Sequence, residues 1–179
     1  MIGHSAHVFI GFAPQNAEVN IRRARPEDFG QLKPMLLDMG FVEDEAALAE
    51  RFPAFCTDPM HLILVADEAG KLLGYASVQD YGPHLRSGEN HRTAKLDDLY
   101  TLPTARRKGV ARKLMQAVTN WAQENPIRYV FWYANQGEAG RAYQAMGYQP
   151  APSGQDGFDF YEIDLGDPKD RIAHAYRGA

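Results

Sequence analysis

The chain has 179 residues, 45% of them hydrophobic and 23% charged, and a formal net charge of -4 at pH 7. This composition is typical of a water-soluble globular chain with one core, and the acidic balance argues against nucleic-acid binding through overall charge. A single cysteine, Cys56, excludes an intramolecular disulfide, and no apolar run approaches the roughly 20 residues that a membrane helix requires. We therefore expect a cytoplasmic protein without a membrane partner.

Hydrophobic periodicity and turn residues predict alternating strands and helices. The predicted elements are a strand over 19–24, helices over 25–39 and 43–55, strands over 62–66 and 72–80, a polar loop over 81–93, a strand over 94–102, a helix from about 109 to 125, a strand over 128–133, a helix over 137–146 and a strand over 158–165. The strand over 128–133 is nearly all apolar or aromatic, which favours a central strand covered on both faces. No repeat or linker interrupts this order, so one domain over 19–165 is predicted, between an N-terminal extension over 1–18 and a C-terminal tail over 166–179.

The basic turn before the third predicted helix carries the clearest functional signal. One face of that helix is apolar, at Val110, Leu114, Ala117, Val118 and Trp121. The turn therefore lies at a helix N-terminus, where backbone amides lack intrahelical acceptors and the macrodipole is positive. Gly109 lets a ligand approach the backbone, and four cations add charge, at Arg106, Arg107, Lys108 and Arg112. The pattern predicts a site for a multiply charged anion such as a pyrophosphate.

Two common pyrophosphate motifs are absent from this turn, which has neither GxxxxGK[ST] nor GxGxxG. Instead it reads Arg106-x-x-Gly109-x-Ala111, after the run Asp97-Asp98-Leu99-Tyr100-Thr101. Further along, the chain reads Ala139-x-x-x-Tyr143-x-x-x-Gly147-Tyr148. The first motif resembles the R/QxxGxG/A coenzyme A loop of the Gcn5-related N-acetyltransferase (GNAT) family, and the last resembles its AxxxYxxxGF segment. The resemblance covers roughly 19–165.

The resemblance implies a mixed α/β fold, with a largely antiparallel central sheet and flanking helices. In that fold the sheet opens between the strand that ends at Leu102 and the strand that begins at Arg128, and acetyl-coenzyme A (acetyl-CoA) enters the gap as co-substrate. No metal is implied. The residues implied to bind the coenzyme are the backbone of Leu99, Tyr100 and Thr101 and the loop residues Arg106, Arg107, Lys108, Gly109, Val110, Ala111 and Arg112. Asn135 is a further candidate, but it lies eight residues before Tyr143 and the family's spacing of seven falls on Gln136, so both are considered.

Two candidate catalytic residues follow from the resemblance. Tyr143 matches the tyrosine that protonates the departing thiolate, with a core aromatic residue as the alternative interpretation. Asp97 matches the acid that orients or deprotonates the ammonium, although relatives usually carry glutamate, and the shorter side chain favours a water relay. Adjacent strand residues point to opposite faces, so only one of Asp97 and Asp98 can reach the cleft directly unless the strand is bulged. Asp97 is favoured, and both are candidate substrate-binding residues.

The resemblance implies an N-acetyltransferase that moves the acetyl group of acetyl-CoA to a primary amine of a small molecule, such as a polyamine or an amino acid. The expected route is direct attack in a ternary complex. The alternatives are a non-catalytic acyl-CoA-binding or regulatory module and an acetyltransferase acting on a protein amine. Nucleic-acid contact through the basic helix is disfavoured by the overall acidity. A homodimer remains an alternative to a monomer.

Overall fold

A seven-stranded sheet forms the centre of the computed structural model, which describes residues 18–170. Its strands are β1 (Asn20–Arg23), β2 (His61–Glu68), β3 (Lys71–Asp80), β4 (Thr93–Thr101), β5 (Tyr129–Asn135), β6 (Ala151–Pro152) and β7 (Phe158–Asp164). They lie in the order β1-β2-β3-β4-β5-β7-β6, and every neighbouring pair is antiparallel except β4 and β5. The predicted mixed, largely antiparallel fold is confirmed. Of the predicted terminal segments, 1–17 and 171–179 lie outside the described residues.

Four helices flank this sheet in the described part of the chain. They are α1 (Phe29–Met39), α2 (Glu45–Thr57), α3 (Val110–Glu124) and α4 (Glu138–Met146). The Asp44 carboxylate caps α2 by accepting hydrogen bonds from the amides of Ala46 and Ala47, and Gly147 ends α4 in the left-handed conformation that the sequence predicts. No helix within residues 18–170 is long and apolar enough to cross a bilayer.

Two core clusters lie on opposite faces of the sheet. The cluster under α3 and α4 includes Leu114, Val118 and Trp132, and the predicted apolar stripe of α3 points into it. The cluster under α1 and α2 includes Phe52 and Tyr75. Burying both faces of the sheet in this way supplies the main favourable free energy of folding.

β5 is covered by helices on one face only, so the prediction of a strand covered on both faces is wrong. Trp132 belongs to the cluster under α3 and α4. On the other face Phe131 and Tyr133 contact each other and the Phe160 ring of β7, and Tyr133 is 47% exposed. The physical reason is that α1 and α2 pack mainly on β3 and β2, away from this strand.

The sheet opens between β4 and β5, as predicted. These strands pair only at Thr93–Tyr129, Ala94–Val130 and Lys95–Phe131. Beyond these three pairs both strands continue without pairing to each other, β4 as far as Thr101 and β5 as far as Asn135. The backbone groups of β4 that point towards β5 therefore lack a strand partner in the gap, and they are available to a ligand.

Candidate active site

The turn at the mouth of this gap leaves the start of α3 open. A short helical turn over Pro103–Ala105 leads to Gly109, whose φ of +81° is a conformation that favours glycine. A Cβ added at Gly109 would meet nothing within 4 Å, so the turn requires glycine for its backbone conformation and not for space. No side chain caps α3, and the first amides of the helix therefore remain available for an anion.

The four cations predicted around this turn have different surroundings. Arg106 donates to the carbonyl of Thr101 and forms an ion pair of 3.2 Å with Glu138. Arg112 donates to the carbonyls of Met146 and Ala145 at the end of α4, so its side chain holds two helices together. Arg107 and Lys108 are exposed and have no hydrogen bond or ion pair with any residue that the structure describes. These two are the cations most available to an anionic ligand.

The side chains at the end of β4 are mostly committed to the core. The Tyr100 hydroxyl donates to Asp38 Oδ2 over 2.6 Å, and the Tyr100 ring stacks on Tyr75 at 6.0 Å between centroids. Leu99 packs against the cluster under α3 and α4. Thr101 Oγ1 is buried and has no hydrogen-bond partner among the described residues. This end of β4 therefore offers a ligand its backbone and one buried hydroxyl.

Asn135 and Gln136, the two candidate coenzyme contacts at the end of β5, have different hydrogen-bond partners. The Asn135 oxygen accepts a hydrogen bond from the Gly137 amide, which leaves its side-chain nitrogen free for another partner. The Gln136 side-chain nitrogen donates to Asp159 Oδ1 over 2.9 Å, across the strand pair of β5 and β7. The geometry therefore favours Asn135 over Gln136 as a ligand contact.

A bulge in β4 decides how the two acids are oriented. Ser77 pairs with Asp98 and Val78 pairs with Leu96, so Asp97 is the extra residue. Asp97 forms an ion pair of 2.8 Å with Lys95. Asp98 is half-buried and accepts a hydrogen bond of 3.2 Å from the Tyr75 hydroxyl. Burial raises the pKa of Asp98 above the usual value, and the negative charge of Asp97 adds to this effect, while the Tyr75 hydrogen bond opposes it.

Asp98 lines a pocket of about 150 Å³ between α1, α2 and the sheet. Tyr75, Ser77 and Asp98 supply its polar groups on the sheet side, and Arg51 supplies a charged group on α2. The other lining residues are Leu32, Leu36, Leu48, Phe52, Phe55 and Ile63. Sequence reasoning missed this pocket, because its residues come from separate segments and carry no common motif. It also favoured Asp97, whereas the acid that faces the pocket is Asp98.

Tyr143 lies in an aromatic cluster at the start of the gap. It is 8% exposed, and its ring lies 5.1 Å from that of Trp132 and 5.3 Å from that of Tyr161. Burial raises its pKa, as do nearby charges that include Asp98, so the hydroxyl stays protonated at neutral pH. Gly140 allows α4 to approach β5 closely, since a Cβ there would lie 2.8 Å from the Asn135 carbonyl oxygen.

No metal site is found in the part of the chain that the structure describes, where no three or more His, Cys, Asp or Glu side chains are grouped to hold an ion. The arrangement instead combines an anion-binding helix start, an unpaired strand edge, a half-buried carboxylate and a protonated phenol. Together these groups can bind a phosphorylated ligand and move protons beside it.

Comparisons with known proteins identify the family. The model of the Acetyltransferase (GNAT) family matches residues 29–148. The uncharacterized N-acetyltransferase YhfO of Bacillus subtilis (strain 168) is 27% identical over 111 residues, which cover 60% of this chain and 72% of the relative. The fold is similar to that of the aminoglycoside N-acetyltransferase AAC(6')-Iy solved with CoA, with a TM-score of 0.67, 17% identity and coverage of 79% of this chain and 94% of that one. It is also similar to ribosomal-protein-alanine N-acetyltransferase from Brucella melitensis, with a TM-score of 0.60, 21% identity and coverage of 82% and 99%.

The family match spans more than half of the chain and includes both the basic turn and Tyr143. At their low identities the two solved structures show the shared fold alone. The resemblance read from the sequence is confirmed: the chain belongs to the Acetyltransferase (GNAT) family and is an acyltransferase.

Proposed function

We propose that the protein transfers the acetyl group of acetyl-CoA to a primary amine of a small molecule, by direct attack within a ternary complex. The observation that carries this proposal is the juxtaposition of complementary groups around the β4–β5 gap. The uncapped start of α3 suits phosphate, and on the sheet face under α1 and α2 Asp98 lines a small pocket. Tyr143 is close enough to Asp98 for that charge to raise its pKa.

The basic turn fits the pyrophosphate of acetyl-CoA. Backbone amides from Gly109 to Arg112 would receive the phosphate oxygens, with Arg107 and Lys108 as free cations beside them. The unpaired edge of β4 over Leu99–Thr101 would hold the pantetheine arm through backbone hydrogen bonds, and the Asn135 amide nitrogen is a further donor. The Arg112 side chain supports α4, so its contribution to binding would come from its backbone amide.

The proposed chemistry begins with a protonated amine bound at Asp98. The carboxylate takes one proton from the ammonium, directly or through water, and the raised pKa of Asp98 makes it a better proton acceptor than an ordinary aspartate. The neutral nitrogen then attacks the thioester carbonyl carbon, so that a C–N bond forms and the C–S bond breaks. The second amine proton passes to water.

The departing sulfur takes the electron pair of the C–S bond and a proton. The Tyr143 hydroxyl would supply this proton and recover one from solvent, and an amide of the β4 edge would polarise the carbonyl oxygen. Asp98 then gives its proton to solvent, so the products are an acetylated amine, the free CoA thiol and a net release of one proton. The Tyr143 hydroxyl is protonated at neutral pH, as a proton donor must be.

Release of free thiol from acetyl-CoA, measured with a panel of small amines and with peptides bearing free N-termini, tests the proposal. We expect thiol release that depends on a small amine. Binding of acetyl-CoA without thiol release for any amine would identify a non-catalytic module. Turnover with peptides alone would identify a protein amine as the acceptor.

A further inference from the structure

Most of the residues that line the Asp98 pocket are apolar. Leucine side chains from α1 and α2 and two phenylalanine rings of α2 surround it, together with Ile63 of β2. Its polar groups are concentrated where Tyr75, Ser77 and Asp98 line the sheet. An acceptor bound here would therefore place an amino group against Asp98 and an apolar group against the helices.

The volume of the pocket limits the size of that apolar group. A cavity of about 150 Å³ with leucine, isoleucine and phenylalanine walls accommodates one benzene molecule in an engineered protein. The present pocket also measures about 150 Å³. One phenyl ring or one branched alkyl group of about four to six carbons fits this space. A longer polar chain would leave its amide or amine groups against apolar walls without hydrogen bonds, which is costly.

The charges that line the pocket favour a single cation. Asp98 is the carboxylate among the lining residues, and Arg51 is the cation. Arg51 is exposed and has no hydrogen bond or ion pair with any described residue, so no carboxylate neutralises its charge. A diamine or polyamine that places one ammonium at Asp98 would hold its second ammonium in or near a pocket that the cationic Arg51 also lines. Like charges repel each other.

We propose that the acceptor is a primary monoamine that carries one compact apolar group, a phenyl ring or a branched alkyl chain, on a short linker. This inference rests on the proposed acetyl transfer and names the acceptor class for it. The ammonium pairs with Asp98, and the apolar group enters the space between α1 and α2. Polyamines, which the sequence alone includes among the acceptors, are poor substrates.

Steady-state thiol release with matched amines tests this inference. The apolar set is 2-phenylethylamine and 3-methylbutylamine, and the reference set is ethylamine and 1,4-diaminobutane. Because burial of such a group is worth one to two powers of ten, we expect kcat/KM for the apolar set to exceed that for ethylamine by about tenfold to hundredfold. Equal values for all four amines, or a preference for the diamine, would overturn the inference and leave the proposed acetyl transfer standing.

Substitutions in the pocket test its apolar lining and its positive charge separately. Leu36→Trp fills the pocket, and Phe55→Ala removes part of its wall at a position that is 39% exposed. Both substitutions should lower the preference for 2-phenylethylamine over ethylamine. Arg51→Glu should raise kcat/KM for 1,4-diaminobutane relative to 2-phenylethylamine by about fivefold. Lys71→Glu reverses an exposed cation at the start of β3 and serves as the matched control. A shift as large in Lys71→Glu as in Arg51→Glu would contradict the role of Arg51.

A binding measurement distinguishes failure of the inference from failure of the proposed function. Calorimetric titration of 2-phenylethylamine into the protein–CoA complex reports acceptor recognition without turnover. Binding that Leu36→Trp and Phe55→Ala weaken, in variants with an unchanged melting temperature, supports the inference even if no amine yields thiol. No binding of 2-phenylethylamine, or binding that neither variant weakens, overturns it.

Discussion

Asp98 faces the pocket because one extra residue in β4 shifts the alternation of side chains. Without the bulge, Asp97 and Asp98 would simply point to opposite faces of the sheet. With it, Lys95 and Asp97 form an ion pair with each other, while Asp98 accepts a hydrogen bond from Tyr75 beneath α1 and α2. Strand register therefore decides which of the two acids lines the pocket.

Replacement of Asp98 should change the pH dependence of turnover. If Asp98 must be ionised, kcat/KM for the amine falls as the pH decreases through its raised pKa, and Asp98→Asn loses most of its activity together with this acidic limb. The loss should be about 100-fold or more. Asp97→Asn is the matched control and should keep the limb. An acidic limb that disappears in Asp97→Asn but not in Asp98→Asn would reverse the assignment.

The same substitution has a predicted effect on stability. A carboxyl whose pKa is raised by folding binds more protons in the folded state than in the unfolded state, at pH values between its two pKa values. The free energy of unfolding therefore decreases as the pH rises through that range. At pH 7 the buried charge is destabilising, so Asp98→Asn should melt at a higher temperature than the wild type there, and the difference should shrink in acid. Thermal melts at several pH values measure this, and a lower melting temperature at pH 7 would contradict it.

Tyr143→Phe tests proton donation to the sulfur. The substitution keeps the ring contacts with Trp132 and Tyr161 and removes only the hydroxyl, so the melting temperature and the affinity for acetyl-CoA should change little. Thiol release should fall by about 100- to 10,000-fold, as expected for a positioned general acid. Kinetics and calorimetry on the same samples measure both quantities. Near wild-type turnover would mean that Tyr143 is only a core aromatic residue.

At the scale of elements, the start of α3 is the predicted phosphate site, and Gly109 offers a sharp test. Asparagine and aspartate tolerate the left-handed conformation about equally, at a cost of about 1 kcal/mol, but only aspartate adds a negative charge. At acetyl-CoA concentrations 100 times the Kd, wild type and Gly109→Asn should melt about 5–10 °C higher than without it. Gly109→Asp should lose this protection. Equal protection in Gly109→Asp and Gly109→Asn would exclude phosphate binding at this turn.

Two cations near the same helix start should respond differently to substitution. Lys108 has no partner among the described residues, so Lys108→Gln should weaken acetyl-CoA binding about tenfold without lowering the melting temperature. Arg112 donates two hydrogen bonds to the end of α4, so Arg112→Gln should lower the free energy of unfolding by about 1–2 kcal/mol. Denaturant unfolding and calorimetry separate the two effects. If Arg112→Gln instead weakened acetyl-CoA binding and Lys108→Gln lowered the free energy of unfolding, the Arg112 side chain would be the ligand contact.

At the scale of the whole molecule, the two parts of the sheet share few backbone hydrogen bonds. β4 pairs with β5 at three residues of each strand, and the Arg92 carbonyl accepts from the amides of Arg128 and Tyr129. The core cluster under α3 and α4 also spans both parts. Asp80 is buried, and its carboxylate accepts hydrogen bonds from the Arg92 guanidinium, which fixes the position of Arg92. This ion pair therefore braces the closed end of the gap.

Loss of that ion pair should destabilise the whole fold. Asp80→Asn removes the buried carboxylate partner of Arg92 and should cost about 2–3 kcal/mol of the free energy of unfolding, because Arg92 loses charge-assisted hydrogen bonds to a buried group and keeps only the exposed Glu89 as an anionic partner. Glu45→Gln breaks the more exposed ion pair with Lys33 and should cost about 1 kcal/mol or less. Urea denaturation measures both variants. Equal small costs would show that the Asp80–Arg92 pair does not brace the sheet.

The sequence by itself determined the order of the helices and of every strand except β6, the glycine turn at the start of α3 and the place of Tyr143 on α4. These features depend on local periodicity and on motifs within one segment: the stripe of α3, glycines at helix ends, and the spacing of Ala139, Tyr143 and Gly147. They could be predicted because helix and turn preferences act between residues close together in the chain.

Only the tertiary structure decided which residues are available at the site. The bulge turned Asp98 to the pocket, the end of α4 took the Arg112 side chain, and a one-sided covering left Tyr133 half exposed. The pocket combines side chains from α1, α2, β2, β3 and β4, which are brought together only by burial of the sheet face. Such contacts join residues far apart in the sequence, and their geometry follows from packing and register, which no local pattern encodes.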